Sequence, residues 1–169
     1  MYVLGISADV PYLLTLSGWA RARNRIFREV HTKIGTHWHK HMLPRHFQPG
    51  AMERYGYQER KEEYLESKAR KWHKTPEYVR EYPLAFSGDM RREMKAAFVI
   101  RSFPTRFSVH MRAPHYIAMR PKKAGIPNLG KEVTAITLDE INELETVGRK
   151  ELERLFEQEL RKKAKWLFK

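Results

Sequence analysis

Four histidines crowd one short stretch of this chain. His37, His39 and His41 alternate, and His46 follows. On a helix, His37 and His41 share a face at a spacing that can grip a metal ion. With His46 as a third ligand, the set would suit a metal-dependent nuclease. The surrounding sequence supplies little else for that chemistry. The nearest acids are Glu29 and Glu53, and Trp38 stands where a metalloprotease helix holds its general base. A polar helix end next to a loop accounts for the same residues without any metal.

Other chemistries fare no better. Ser87-Gly88 lacks the glycine two residues earlier that a nucleophile elbow needs. Gly125 to Gly130 is poor in glycine between its ends, and its lysines are not followed by Ser or Thr, so it is no phosphate loop. The carboxylates of 139–159 fall where the wet face of a helix is expected. The chain has no cysteine, which excludes disulfides and thiolate zinc sites. The expectation is a protein without catalytic residues, cofactor or metal.

Charge is the stronger signal. The net charge is +13, and it is unevenly spread. Residues 20–74 and residues 91–123 each carry a net +8, whereas residues 131–169 balance nine basic against nine acidic side chains. An acidic partner follows, either nucleic acid or a negatively charged protein surface. Arg54-Tyr55-Gly56-Tyr57 through Trp72-His73-Lys74 interleaves rings with cations, as single-strand binders do. Interfaces between proteins favour the same residues. A basic nucleic-acid-binding protein is therefore one reading, ahead of the nuclease built on His37, His41 and His46.

These residues need elements to hold them. The 169 residues make one ordinary domain, 41% hydrophobic. The apolar N-terminal stretch lacks a basic flank and is interrupted by Asp9 and Pro11, and no run approaches a membrane span, so a soluble, non-exported protein is expected. Residues 2–6 read as a strand. Trp19, Ala22, Ile26, Val30, Ile34, Trp38 and Met42 form a helical stripe over about 18–42. Steps of four turn that stripe, so the helix either breaks near Gly35 or faces two partners. Residues 45–57, 73–86 and 121–130 read as extended loops. A second helix is expected over 59–72, and Ser87 is a candidate cap for one at 90–95. Strands are expected at 97–101, 106–112, 116–119 and 133–136, the second with Phe107, Val109 and Met111 on one face. Thr137-Leu138-Asp139-Glu140 is a capping box that opens a long helix over 138–166. Its apolar face is Ile141, Leu144, Leu152, Leu155 and Leu160, interrupted by Gly148. The sum is an α+β domain: a small, mainly antiparallel sheet flanked by two long helices.

The chain also carries His46-Phe47, Arg54-Tyr55-Gly56-Tyr57, Arg60, Tyr64 and Lys68, followed by Pro83-Leu84-Ala85-Phe86-Ser87-Gly88-Asp89-Met90-Arg91. This series resembles the small morphogenesis proteins of tailed phages: neck, head–tail joining and tail-completion proteins. The resemblance covers about residues 18–165. The long His-rich first helix and the cationic 91–123 region depart from the pattern. The resemblance implies a structural virion protein, not an enzyme, assembled in the bacterial host cytoplasm. It implies a homomeric ring between head connector and tail, with phage connector and tail proteins as neighbours, genomic DNA passing through the channel, and no membrane partner. The expected interface residues are Arg54, Tyr55, Tyr57, Arg91 and Arg92.

Overall fold

The structure, a computed structural model, describes residues 2–4, 7–9, 20–84, 88–96, 98–114 and 127–167. The expected strand at 116–119, the Ser87 cap, Trp19 at the head of the first stripe and most of the 121–130 loop lie outside those residues. The protein is mostly helical with a small antiparallel sheet and two long helices, an α+β arrangement.

Alternation builds the sheet. In β4 (Arg106–Ala113) Phe107, Val109, Met111 and Ala113 are buried, and the residues between them face away. β3 (Phe98–Ser102) runs antiparallel along one side of β4, with Ile100 opposite Val109. β1 (Tyr2–Leu4) and β2 (Ser7–Asp9) lie end to end along the other side, also antiparallel. The strand expected at 2–6 is present as β1 over its first three residues, residues 5 and 6 lie outside those described, and β2 falls beyond the expected range.

Helix α1 (Ala20–His37) packs on the buried face of the sheet and against α7 (Leu138–Leu167). It does not break at Gly35. A Cβ there would stand 3.2 Å from Val109 Cγ2 and 3.3 Å from Ile100, so the missing side chain lets the helix backbone lie close on the sheet. Gly148 does the same between the helices: a Cβ on it would stand 2.8 Å from Ile34 Cδ1. The long helices run antiparallel, with Ile26 and Val30 meeting Leu155 at one end and Arg45, just past α1, meeting Glu143 at the other. The turning stripe is resolved beyond His37, where the helix widens into a π turn (Trp38–Met42) and tightens into a 3₁₀ turn (Leu43–Phe47). That change of pitch buries Trp38, His39, Met42, Leu43 and Phe47 together.

Several expectations need correction. Residues 45–57 are not loop, because the 3₁₀ turn is followed by α2 (Ala51–Tyr55), set between left-handed Gly50 and Gly56. Residues 73–86 hold α4 (Pro76–Glu81), where Pro76 occupies the first turn and Thr75 caps the Tyr78 amide. α4 pairs with α3 (Glu62–Trp72) around Leu65, Ala69 and Val79. Val133 to Ile136 is no strand: α6 (Leu129–Val133), capped by Asn128, runs into a turn. On α7, Ile141 and Leu160 are about half exposed, since the face that meets α1 runs through Glu140, Leu144, Gly148, Leu152 and Leu155. α5 (Asp89–Ala96) buries Met90 and Met94 against the sheet, where a helix at 90–95 was expected. Among the described residues no helix is long and apolar enough to cross a membrane.

The seat of α1 on the sheet is testable. Gly35→Leu gains about 0.8 kcal/mol of helix propensity. It loses about 1–3 kcal/mol or more by overpacking against Val109 and Ile100. Thermal denaturation should show a melting temperature lower by a few degrees. An unchanged value would mean that the helix is not held against the strands there.

Candidate functional site

The polar residues singled out in the sequence converge where the end of α1 meets the start of α7, but they do so as two linked networks. The inner one begins with His46, fully buried, whose Nδ1 lies 2.5 Å from the Tyr57 hydroxyl. Its ring stacks on Tyr55 at 3.8 Å between centroids, and Tyr55 stacks in turn on Tyr57. Burial pushes the His46 pKa down to about 3, only partly offset by the Glu132 backbone, so the ring is neutral at physiological pH. Burial also raises the Tyr57 and Tyr55 hydroxyls above their ordinary values.

Beside these rings lies an ion pair with almost no solvent contact. Arg60 Nη1 and Nη2 donate to the two Glu132 oxygens at 2.7 and 2.5 Å, and the Gln58 amide donates to the same carboxylate at 3.1 Å. Arg60 also donates to the Gln58 carbonyl and lies near the Tyr57 ring, 5.9 Å from its centroid.

The outer network reaches the surface through Arg45, Glu143 and His37, while Glu140 is buried. The Tyr55 hydroxyl donates to Glu140 Oε1 at 2.7 Å. Arg45 donates to Glu143 from both terminal nitrogens at 3.0 Å and reaches Glu140 at 3.5 Å. His37 Nε2 lies 2.7 Å from Glu143 Oε1, and its ring sits 4.6 Å from that of His41. The His37 bond, with Arg45 adding to it, holds the Glu143 carboxyl below the usual carboxylate range. Glu140 also closes the capping box with Thr137, each side chain accepting from the other's amide at 3.3 Å. The expectation that the 139–159 carboxylates are all solvated therefore fails for Glu140 and Glu143, and also for the half-buried Glu151 and Glu159, which pair with Arg154 and Arg25. It holds for the exposed pairs Arg149–Glu145 and Arg161–Glu157 farther along α7.

The three histidines of the nuclease reading are not brought together. His37 and His41 are neighbours near the surface, but His46 is locked in the core against the tyrosines. His39 points elsewhere again, bonding the Met94 carbonyl at 2.7 Å and stacking on Phe98. Among the described residues no group of three metal-ligating side chains could hold an ion.

The expected interface residues separate as well. Tyr57 is buried and Tyr55 half-buried, both tied to internal partners. Arg54 is exposed and lines a cavity of about 530 Å³ with Arg45, Thr137, Asp139 and Glu140. Its lining is charged, whereas small-molecule sites are mostly apolar. Two residues that the sequence did not flag as surface features belong to the same end of α7: Leu138 is 78% exposed and Ile141 is 49% exposed. They are surface apolar groups on the first turn of the helix whose Thr137, Asp139 and Glu140 line that cavity. Arg91 and Arg92 are exposed on α5, the latter paired with Asp89.

Two measurements test the inner network. Arg60→Ala and Glu132→Ala should each cost about 3–5 kcal/mol in urea denaturation, because each strands a buried charge. Arg60→Met with Glu132→Leu should cost far less than the two single changes added; simple additivity would sink the pairing. The second is pH dependence. The unfolded chain protonates a histidine near pH 6.5, whereas folded His46 resists down to about 3. Its contribution is therefore complete above pH 6.5 and lost as pH falls toward 3, on the order of 5 kcal/mol in all. His31 and His39, also lowered by burial, act in the same direction. Between about pH 6.5 and 5, above most carboxylates, stability should fall with acid, and His46→Leu should flatten that slope by about one proton. An unchanged slope would mean that His46 is accessible to protons in the folded state.

No protein-family model matches this chain, and neither a curated protein nor a solved structure matches it.

Proposed function

We propose that this protein is a structural subunit of the neck of a tailed phage, joining head connector to tail as a member of a homomeric ring. The observation that carries the reading is the fate of the residues that resemble that group. His46, Tyr55, Tyr57 and Arg60 are tied to one another or to Glu132 and Glu140 inside the fold. A motif used in this way supports a shape-holding role, since side chains tied to one another inside the fold are not free to meet a substrate.

The exterior fits the same role. Ring contacts between identical subunits join two different patches of one surface and close by rotation. Leu138 and Ile141 at the start of α7 form one candidate patch, and α5 with Arg91 and Arg92 forms another. Acidic neighbouring rings would be steered onto such a surface. In this reading the protein works in the virion after assembly in the host cytoplasm, with connector and tail proteins as neighbours and genomic DNA passing through the ring.

Electron microscopy of lysates from a phage lacking this gene tests the proposal. Filled heads lying apart from finished tails are expected. Joined particles of normal form would overturn the neck reading and leave nucleic-acid binding as the better account. A milder variant refines the first result. Leu138→Asp with Ile141→Asp, both exposed, should leave the fold intact yet reduce the yield of joined particles.

A further inference from the structure

The sheet has an outward face that nothing in the described fold covers. Because Phe107, Val109, Met111 and Ala113 point into the core, Arg106, Ser108, His110 and Arg112 point out. The register sets β3 beside them: Val99 opposite His110, Arg101 opposite Ser108, and Phe103 bonded through its amide to the Arg106 carbonyl. Arg101, Arg106 and Arg112 are exposed, and among the described residues no ion pair engages any of them. The Arg106 guanidinium lies 5.3 Å from the centroid of the Phe103 ring. Ser108 Oγ and His110 Nε2 are 2.8 Å apart between the arginines. The Cα register partner of Arg106 on β2 is Asp9.

We infer that this face is a contact for the phosphate backbone of nucleic acid. Its cationic groups are three guanidiniums, which donate hydrogen bonds and accept none. That matches an acceptor-only polyanion, and arginine is the side chain best shaped to fork onto phosphate. Arg106 and Arg112 are six residues apart on one strand, about 20 Å, and Arg101 lies between them on the next strand. Guanidinium groups so spaced can meet several phosphates along a duplex. The one exposed ring, Phe103, is too little for a base-stacking platform, so the contact carries no sequence preference. Val99 and Phe103 form only a small apolar corner, less than the buried anchor cluster that a protein partner would use. The inference stands on the sheet face alone and does not rest on the neck reading; particle joining and DNA affinity can fail separately.

The test is fluorescence anisotropy of the full chain on a random-sequence duplex of about 30 base pairs, from about 50 to about 200 mM salt. Arg101→Glu with Arg112→Glu should weaken binding at least about 10-fold and make the logarithmic salt slope shallower by about 2, one phosphate contact for each arginine. Lys131→Glu with Lys150→Glu makes the same change in net charge on exposed positions of α6 and α7, and should shift affinity by less than about 3-fold. If the first variant fails to fold by circular dichroism, Arg101→Gln with Arg112→Gln takes its place with the same expectation. Equal losses in the two regions would overturn the inference, because net charge alone would then explain binding. Absence of duplex binding at the lowest salt would overturn it too. So would tighter binding to polyglutamate than to the duplex, which would point to an acidic protein instead.

Discussion

The fold depends on the buried pair between Arg60 and Glu132. Two ions removed from water lose several kcal/mol of hydration each, and they regain it only with close geometry and further hydrogen bonds. Here both guanidinium ends meet both carboxylate oxygens, the Gln58 amide adds a third donor, and the Gln58 carbonyl takes another arginine proton. The pair fixes the start of the α3 segment to α6, elements separated by 72 residues. With that clamp closed, the Tyr57 ring lies between Arg60 and His46, and Tyr55 stacks outside it. Tyr55 then reaches Glu140, which caps α7. A continuous run of polar contacts therefore leads from α6 through the aromatic stack to the first turn of the longest helix. Opening the ion pair would leave an uncompensated charge at one end of this run and an unanchored helix start at the other.

The elements legible in the sequence are those whose signal is local and repeated. β4 alternates over its whole length, and α7 announces itself by Thr137 and Glu140, whose reciprocal hydrogen bonds are present in the fold. The misread elements are short. α2 and α4 span only 5 and 6 residues, too few for helical periodicity to emerge. In the stretch read as an extended loop, Thr75 followed by Pro76 starts a helix, a role in which proline's missing amide costs nothing. The two helical glycines looked like interruptions because their purpose is a neighbour's closeness, and the neighbours, Val109 and Ile34, lie far away in sequence. The candidate site was half legible for the same reason. His37 seemed to lack a carboxylate, yet Glu143 arrives across 106 residues. Which aromatic of Arg54-Tyr55-Gly56-Tyr57 would face out was likewise set by where His46 and Glu140 come to rest.

The histidine-rich stretch shows how helix pitch divides residues that the sequence groups together. At 3.6 residues per turn, alternating histidines scatter around the axis instead of converging. The π turn then opens the backbone at Trp38, so that both Trp38 and His39 enter the core while His41 stays near His37 at the surface. Burial in turn shifts protonation: it lowers the pKa of both His39 and His46, the latter to about 3, and both rings serve as hydrogen-bonding aromatic fillers. A metal would need two or three of these rings aimed at one point, and the pitch change sends them to different places.

The same division governs the positive charge. Arg45 and Arg60 are matched by Glu140, Glu143 and Glu132 where the elements join, and the exposed arginines of α7 are matched by glutamates one turn away. The acids of α6 and α7 are thus largely engaged, whereas Arg101, Arg106 and Arg112 on the sheet's outer face are among the exposed cations that no ion pair engages within the described residues. Such an accumulation gives the folded state nothing, because like charges held near one another repel and favour expansion. Arg101 and Arg112 are not fasteners between elements, since no ion pair among the described residues engages either of them. The burial pattern that turns Phe107, Val109 and Met111 inward obliges the alternate positions of β4 to be polar, but it does not oblige them to be cationic. Threonine or serine would satisfy the strand as well. The choice of arginine there is therefore a property of what the face meets, not of how the sheet is built.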